Sequence, residues 1–108
     1  VIITNETVLK ENKDLVEAFM KAVKKGYEYA IENPEDAADI FIKAVPEVNQ
    51  ELVKESQKFL AEKYRDDAAV WGLQNTEVWQ RYTDWMYENG FIDKKIDVTK
   101  AYTNEFID

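Results

Sequence analysis

A mostly α fold is expected, with about five helices behind one short N-terminal β-strand. Three observations predict it. Apolar residues recur at helical spacing along most of the 108 residues. Helix-starting residues, Asn5, Asp14, Asn33, Asn49 and Asn75, stand just ahead of those periodic runs. The chain opens on the β-branched run Val1, Ile2, Ile3, which reads as a buried strand of a parallel sheet.

Each element follows from its residues. A strand over residues 1–4 needs a neighbour, because its backbone groups must pair. Asn5 caps a short helix over residues 6–11. Asp14 starts a second helix, with Glu17 three residues later as in a capping box. Along that helix Leu15, Val16, Phe19, Ala22, Val23, Tyr27, Ala30 and Ile31 form one apolar face. Gly26 lies on the same face, where it weakens the helix by about 1 kcal/mol relative to Ala; close approach of another element would explain its presence. Asn33 caps a third helix, Pro34 fits its first position, and Glu35 and Asp36 complement the positive end of its dipole. This helix is expected to bury Ala37, Ile40, Phe41 and Ala44, and to end at Pro46. A fourth, capped by Asn49, presents Leu52, Val53, Ser56, Phe59, Leu60 and Tyr64. Residues 65–69 read as a loop. Asn75 or Thr76 starts a fifth helix with the apolar stripe Val78, Trp79, Tyr82, Trp85 and Met86. Gly90 fits the left-handed residue of a Schellman motif, which would fold Phe91 back onto Met86 or Trp85. Residues 97–99 open a last helical turn.

Composition excludes several function classes. The net charge is −8, from 22 acidic and 14 basic residues, so the clustered Lys and Arg needed to neutralise phosphates are missing and nucleic acid is not an expected partner. The same balance disfavours an anionic membrane surface. There is no Cys and no His, which removes thiolate chemistry and the commonest general base and metal ligand. Asp66 with Asp67, and Asp93 with Asp97, lack the ordered Gly and final Glu of a calcium loop and read as solvated carboxylates. No metal, cofactor or catalytic residue is assigned, and an enzyme is not expected.

Trp71, Gln74 and Asn75 form the candidate ligand-binding group: an aromatic face and two amides just before a helix, suited to stacking on a flat ring and bonding its heteroatoms. The plainer reading of the same residues is a core anchor (Trp71) and a helix cap (Asn75). The stripe Trp79, Tyr82, Trp85 reads first as core packing rather than as a ligand box.

Residues 71–108, WGLQNTEVWQRYTDWMYENGFIDKKIDVTKAYTNEFID, and residues 22–45, AVKKGYEYAIENPEDAADIFIKAV, carry a resemblance. Together they resemble the C-terminal part of the solute-binding proteins of ABC importers, in the branch that holds the NMT1/THI5-like binders of thiamine pyrimidine precursors and the sulfonate and taurine receptors. The resemblance implies a fragment of one lobe of a two-lobed α/β fold, hinged about a small molecule, with residues 1–108 as a single C-terminal piece and the rest of the parent absent. It implies a pyrimidine or sulfonate-like ligand and an ABC permease as partners. It also implies an exported parent, at the extracellular face of the membrane or in the periplasm, as a lipoprotein. Two further expectations follow from truncation. The isolated chain should bind the parent's ligand poorly, and its strand edge and apolar faces should drive self-association into a homo-oligomer, by exchange of elements between copies. The rival reading is an autonomous acidic helical interaction module that uses the Trp79 and Trp85 face.

Overall fold

In the computed structural model, which describes residues 1–107, five α-helices and one 3₁₀ turn account for all regular structure. They are α1 (Glu6–Glu11), α2 (Lys13–Glu32), α3 (Pro34–Ala44), α4 (Gln50–Lys63) and α5 (Thr76–Glu88), with the 3₁₀ turn at Val98–Lys100. The mostly helical expectation holds. The N-terminal strand does not: among the described residues none forms a strand, and Val1 and Ile3 are 93% and 85% exposed. A β-branched run without a partner strand has nowhere to place its backbone hydrogen bonds except water.

Chain contacts divide the molecule into two units, Val1–Gly72 with Phe106–Asp108, and Leu73–Glu105.

In the first unit, α2 touches α1, α3 and α4, and α3 packs most extensively on α4. Asn5 caps α1 as expected, its Oδ1 accepting the Val8 N–H at 2.9 Å. The capping box is not formed. Helix α2 begins one residue earlier than Asp14, after Asn12, whose side chain makes no cap bond, and Glu17 instead pairs with Lys21 one turn on at 2.9 Å. Pro34 opens α3 with Asn33 at the cap position, and Asn49 Oδ1 caps α4 by accepting the Leu52 N–H at 3.0 Å. Polar links tie the helices. Lys54 reaches Asp39 at 2.9 Å and Lys58 reaches Glu35 at 3.6 Å between α4 and α3. Gln57 donates to the Ala30 carbonyl at 3.3 Å between α4 and α2, and Tyr29 donates to Asp36 between α2 and α3.

Burial departs from the expected helix faces. The buried apolar residues of α3 and α4 are Ala38 and Ala61, while Ile40, Phe41, Leu52, Phe59 and Leu60 are exposed. On α2, Leu15 and Phe19 are exposed too. Periodicity identifies a face able to be buried; burial also requires a neighbour on that side, and here the four helices of this unit supply too few. Gly26 likewise has open space where a Cβ would stand, so no element approaches it.

The second unit is α5 and the segment that returns to it. Asn75 Oδ1 caps α5 through the Glu77 N–H at 2.8 Å. The far end closes in the Schellman motif read from Gly90, which sits at φ +73°. The Phe91 N–H bonds the Met86 carbonyl at 2.9 Å and the Gly90 N–H bonds the Tyr87 carbonyl at 3.1 Å. The Phe91 ring then stacks on Trp85 at 5.4 Å. Asp97 starts the 3₁₀ turn, its Oδ1 accepting from the Thr99 N–H at 3.1 Å and the Thr99 hydroxyl at 2.6 Å.

Candidate ligand-binding residues

Trp71 lies in the first unit and is 8% exposed. Its ring stacks on Tyr27 of α2 at 4.5 Å with 21° between planes. Tyr64, at the end of α4, meets Tyr27 edge-on at 5.0 Å and donates to Gln57 Oε1 at 3.2 Å. Burial, with charge repulsion from the Tyr27 hydroxyl as a lesser cause, raises the Tyr64 hydroxyl above its ordinary pKa. The three rings tie α2 and α4 to the chain that follows α4. Beside Trp71, Gly72 has φ +84°, and a Cβ there would come within 3.0 Å of the Ile107 side chain. Both the backbone and the space therefore favour glycine.

Gln74 and Asn75 lie in the second unit, and their polar groups are engaged. The Gln74 N–H donates to Asn104 Oδ1 and the Asn104 amide donates back to the Gln74 carbonyl, each at 2.9 Å. Gln74 Oε1 accepts the Trp79 indole N–H at 2.9 Å. Trp79 stacks on Tyr102 at 5.6 Å, and the Tyr102 hydroxyl bonds that of Thr76. Two amides and two rings thus fasten the tail to the start of α5, and Asn75 serves as its cap. Tyr102 and Asn104 were not singled out from sequence. Their partners stand 26 and 30 residues away, and no local spacing rule reaches that far.

The aromatic stripe divides. Trp79 packs within the unit, whereas Tyr82, Trp85 and Phe91 are 58%, 52% and 65% exposed, with rings nearly parallel. The core-packing expectation for Tyr82 and Trp85 is thereby corrected: Trp79, with buried Thr83 one turn on, occupies the packed side of α5, and the other two rings fall on its open side. Along that open side runs a hollow of about 550 Å³ lined by Glu77, Gln80, Arg81, Asp84, Trp85 and Glu88. Lys95 reaches Asp84 Oδ1 at 2.9 Å. The bond from Lys95, then one from Gln80, holds the Asp84 carboxyl below the usual range, and Asp84 in turn raises Lys95. Among the described residues no group of acidic side chains is arranged to hold a metal ion.

Comparison with known proteins gives these residues a context. Residues 1–37 match the family described as NMT1/THI5 like. Over 96% of its length the chain is 29% identical to a formylaminopyrimidine-binding protein of Halalkalibacterium halodurans, covering 33% of that protein. It is 28% identical over 98% of its length to the riboflavin-binding protein RibY of Chloroflexus aurantiacus, covering 32%. It is 26% identical over 97% of its length to the 4-amino-5-hydroxymethyl-2-methylpyrimidine phosphate synthase THI5 of Saccharomyces cerevisiae, covering 29%. The chain spans about a third of the length of these relatives. The synthases overturn one expectation. Missing His and Cys suggested that no enzyme was at hand, yet proteins named as enzymes match this chain almost from end to end; a stretch that matches about a third of an enzyme need not contain all of that enzyme's reacting groups. The resemblance itself stands: residues 1–37 match the NMT1/THI5 like family, and nearly the whole chain is similar to the formylaminopyrimidine-binding protein.

Proposed function

We propose that this chain is part of a protein that captures a flat nitrogen heterocycle, with an amino-substituted pyrimidine first among the ligands. The carrying observation is end-to-end similarity to relatives named for binding formylaminopyrimidine and riboflavin. Both ligands pair a planar ring with hydrogen-bonding edges, and recognition of such a ring is a step that a binding protein and a synthase have in common. Delivery to an ABC permease from the outer face of a membrane belongs to this reading, as the transport role of a pyrimidine binder. Sulfonates and taurine, also expected from the resemblance, rank below pyrimidines because two of the named relatives bind nitrogen heterocycles.

Within this reading Trp71, Gln74 and Asn75 shape the protein around the ligand more than they touch it, since their rings and amides are already engaged. The hollow beside Trp85 is open to solvent, and a ligand enclosed on most sides needs walls from further elements.

Isothermal titration of formylaminopyrimidine, riboflavin and taurine against the protein in the form its cell makes is the test. Saturable binding of formylaminopyrimidine below about 10 µM, with taurine at least about tenfold weaker, is expected. Heat released by neither heterocycle would sink the proposal. The 108-residue chain alone should bind at least about tenfold more weakly than that protein; equal affinity would place the whole site within these residues.

A further inference from the structure

Of the asparagines in the chain, Asn89 alone is followed by glycine. An asparagine side chain can cyclise on the next residue's backbone nitrogen, and glycine, with no Cβ, obstructs that nitrogen least. Asn89 is exposed at the end of α5, so water and base reach it. Hydrogen bonds hold the pair in an unreactive arrangement. The Asn89 side-chain amide donates to the Trp85 carbonyl at 2.8 Å. The Gly90 N–H is committed to the Tyr87 carbonyl and the Phe91 N–H to that of Met86, as the Schellman motif requires. With Asn89 at ψ 7°, the Gly90 nitrogen lies away from the Asn89 side chain, whereas ring closure needs the two on one side. The last turn of a helix is also where the backbone frays.

We propose that Asn89 is a deamidation site, kept latent by this turn and released when the turn opens. In the opened turn the Gly90 nitrogen gives up its proton and attacks Asn89 Cγ. A Cγ–N bond forms, the Cγ–Nδ2 bond breaks, and Nδ2 leaves as ammonia with the proton. One water then opens the five-membered succinimide. Cleavage of the new Cγ–N bond leaves aspartate. Cleavage between the Asn89 main-chain carbonyl and the Gly90 nitrogen leaves isoaspartate, with the backbone rerouted through Cβ and Cγ. Either product loses the amide donor to the Trp85 carbonyl and sets a negative charge at the negative end of the α5 dipole. Isoaspartate also adds a methylene to the main chain. That shifts the Gly90 and Phe91 N–H groups out of register and frees the Phe91 ring from Trp85, so the opening becomes irreversible.

The protein in the form its cell makes is held in warm, mildly alkaline buffer, both folded and in guanidinium chloride. The peptide that carries Asn89 is followed by mass spectrometry, with fragmentation that tells isoaspartate from aspartate. In guanidinium, Asn89 should convert faster than any other asparagine of this chain; in the folded protein it should convert at least about tenfold more slowly. Phe91→Ser removes the ring stacked on Trp85 and leaves the Asn-Gly pair intact. It should speed the folded reaction at least about threefold and leave the denatured one unchanged. If that variant loses its fold, the comparison of the unaltered protein folded and denatured still decides. Converted protein should show weaker near-ultraviolet dichroism, as the Phe91 ring leaves Trp85. Equal rates in folded and denatured protein would overturn the proposal, as would faster conversion at another asparagine of this chain in guanidinium. So would a folded Phe91→Ser protein that converts no faster, or converted protein with its dichroism intact.

Discussion

At Gly26 the backbone of α2 carries a residue that costs the helix about 1 kcal/mol relative to Ala, and open space surrounds the point where a Cβ would stand. Gly26→Ala should therefore stabilise the chain by about 1 kcal/mol, read as a higher urea midpoint at unchanged slope; a loss of stability would mean that something does approach α2 there. Asn104 presents the opposite case. Its one amide satisfies both backbone groups of Gln74, and removing it leaves a part-buried N–H and C=O without their partner, at a cost of about 1–3 kcal/mol. Asn104→Ala should lower the urea midpoint and speed hydrogen exchange at the Gln74 amide, whereas Asn104→Asp, which keeps the acceptor and loses the donor, should fall between. The Asp84–Lys95 pair adds a pH signature. Because the folded carboxyl is depressed by Lys95, its stabilisation is complete above the ordinary Asp value of about 3.9 and disappears as pH falls through the lowered folded value. Lys95 is raised by Asp84, so its share is complete below about 10.4 and disappears as pH rises through the raised value. Lys95→Met should raise the Asp84 carboxyl toward the ordinary Asp range in an NMR titration, with the Gln80 bond still holding it below that range; no movement would show that the Gln80 bond, not the cation, holds it down.

At the scale of elements, what was legible in the sequence was whatever a few consecutive residues decide. Asn5, Asn49 and Asn75 cap the helices they were expected to cap, because a cap bond spans two or three residues and competes with nothing distant. Gly90 and Phe91 close α5 for the same reason. Gly90→Ala should cost about 1 kcal/mol, since a Cβ is disfavoured at φ +73°. It should also loosen the Phe91 ring from Trp85, visible as weaker near-ultraviolet dichroism. The failures were those of distance. Val1, Ile2 and Ile3 read as a strand because their side chains favour one, but a strand is a property of a pair. Ile40, Phe41, Leu52 and Phe59 read as core because they share helix faces, but a face is buried by its neighbour and not by its own period. The same limit applies to the candidate site. The residue types at Trp71, Gln74 and Asn75 suited a ligand, and only the positions of Tyr27, Trp79 and Asn104 show how thoroughly those groups are used within the protein.

For the molecule as a whole, two opposed terms govern its state in solution. Leu15, Phe19, Ile40, Phe41, Leu52 and Phe59 leave large apolar area in water, and each side chain taken out of water contributes roughly 1.5–3 kcal/mol. A net charge of −8 opposes any contact between copies. Repulsion between exposed charges weakens as the Debye length shrinks from about 30 Å at 0.01 M salt to about 3 Å at 1 M, while apolar attraction does not weaken with it. Self-association should therefore grow with salt: light scattering should give a mass near the 12.7 kDa of one chain at low ionic strength and a rising, concentration-dependent mass at high ionic strength. Phe19→Ser with Phe59→Ser should suppress the rise, because both lie on exposed helix faces of the first unit. Glu77→Gln/Glu88→Gln, which removes charge from the second unit alone, should advance its onset by two charges' worth of repulsion and no more. A mass indifferent to salt and to both Phe substitutions would mean that these faces are not the ones that meet, and that the exposed aliphatic surface of α2, α3 and α4 is tolerated in water by a single chain.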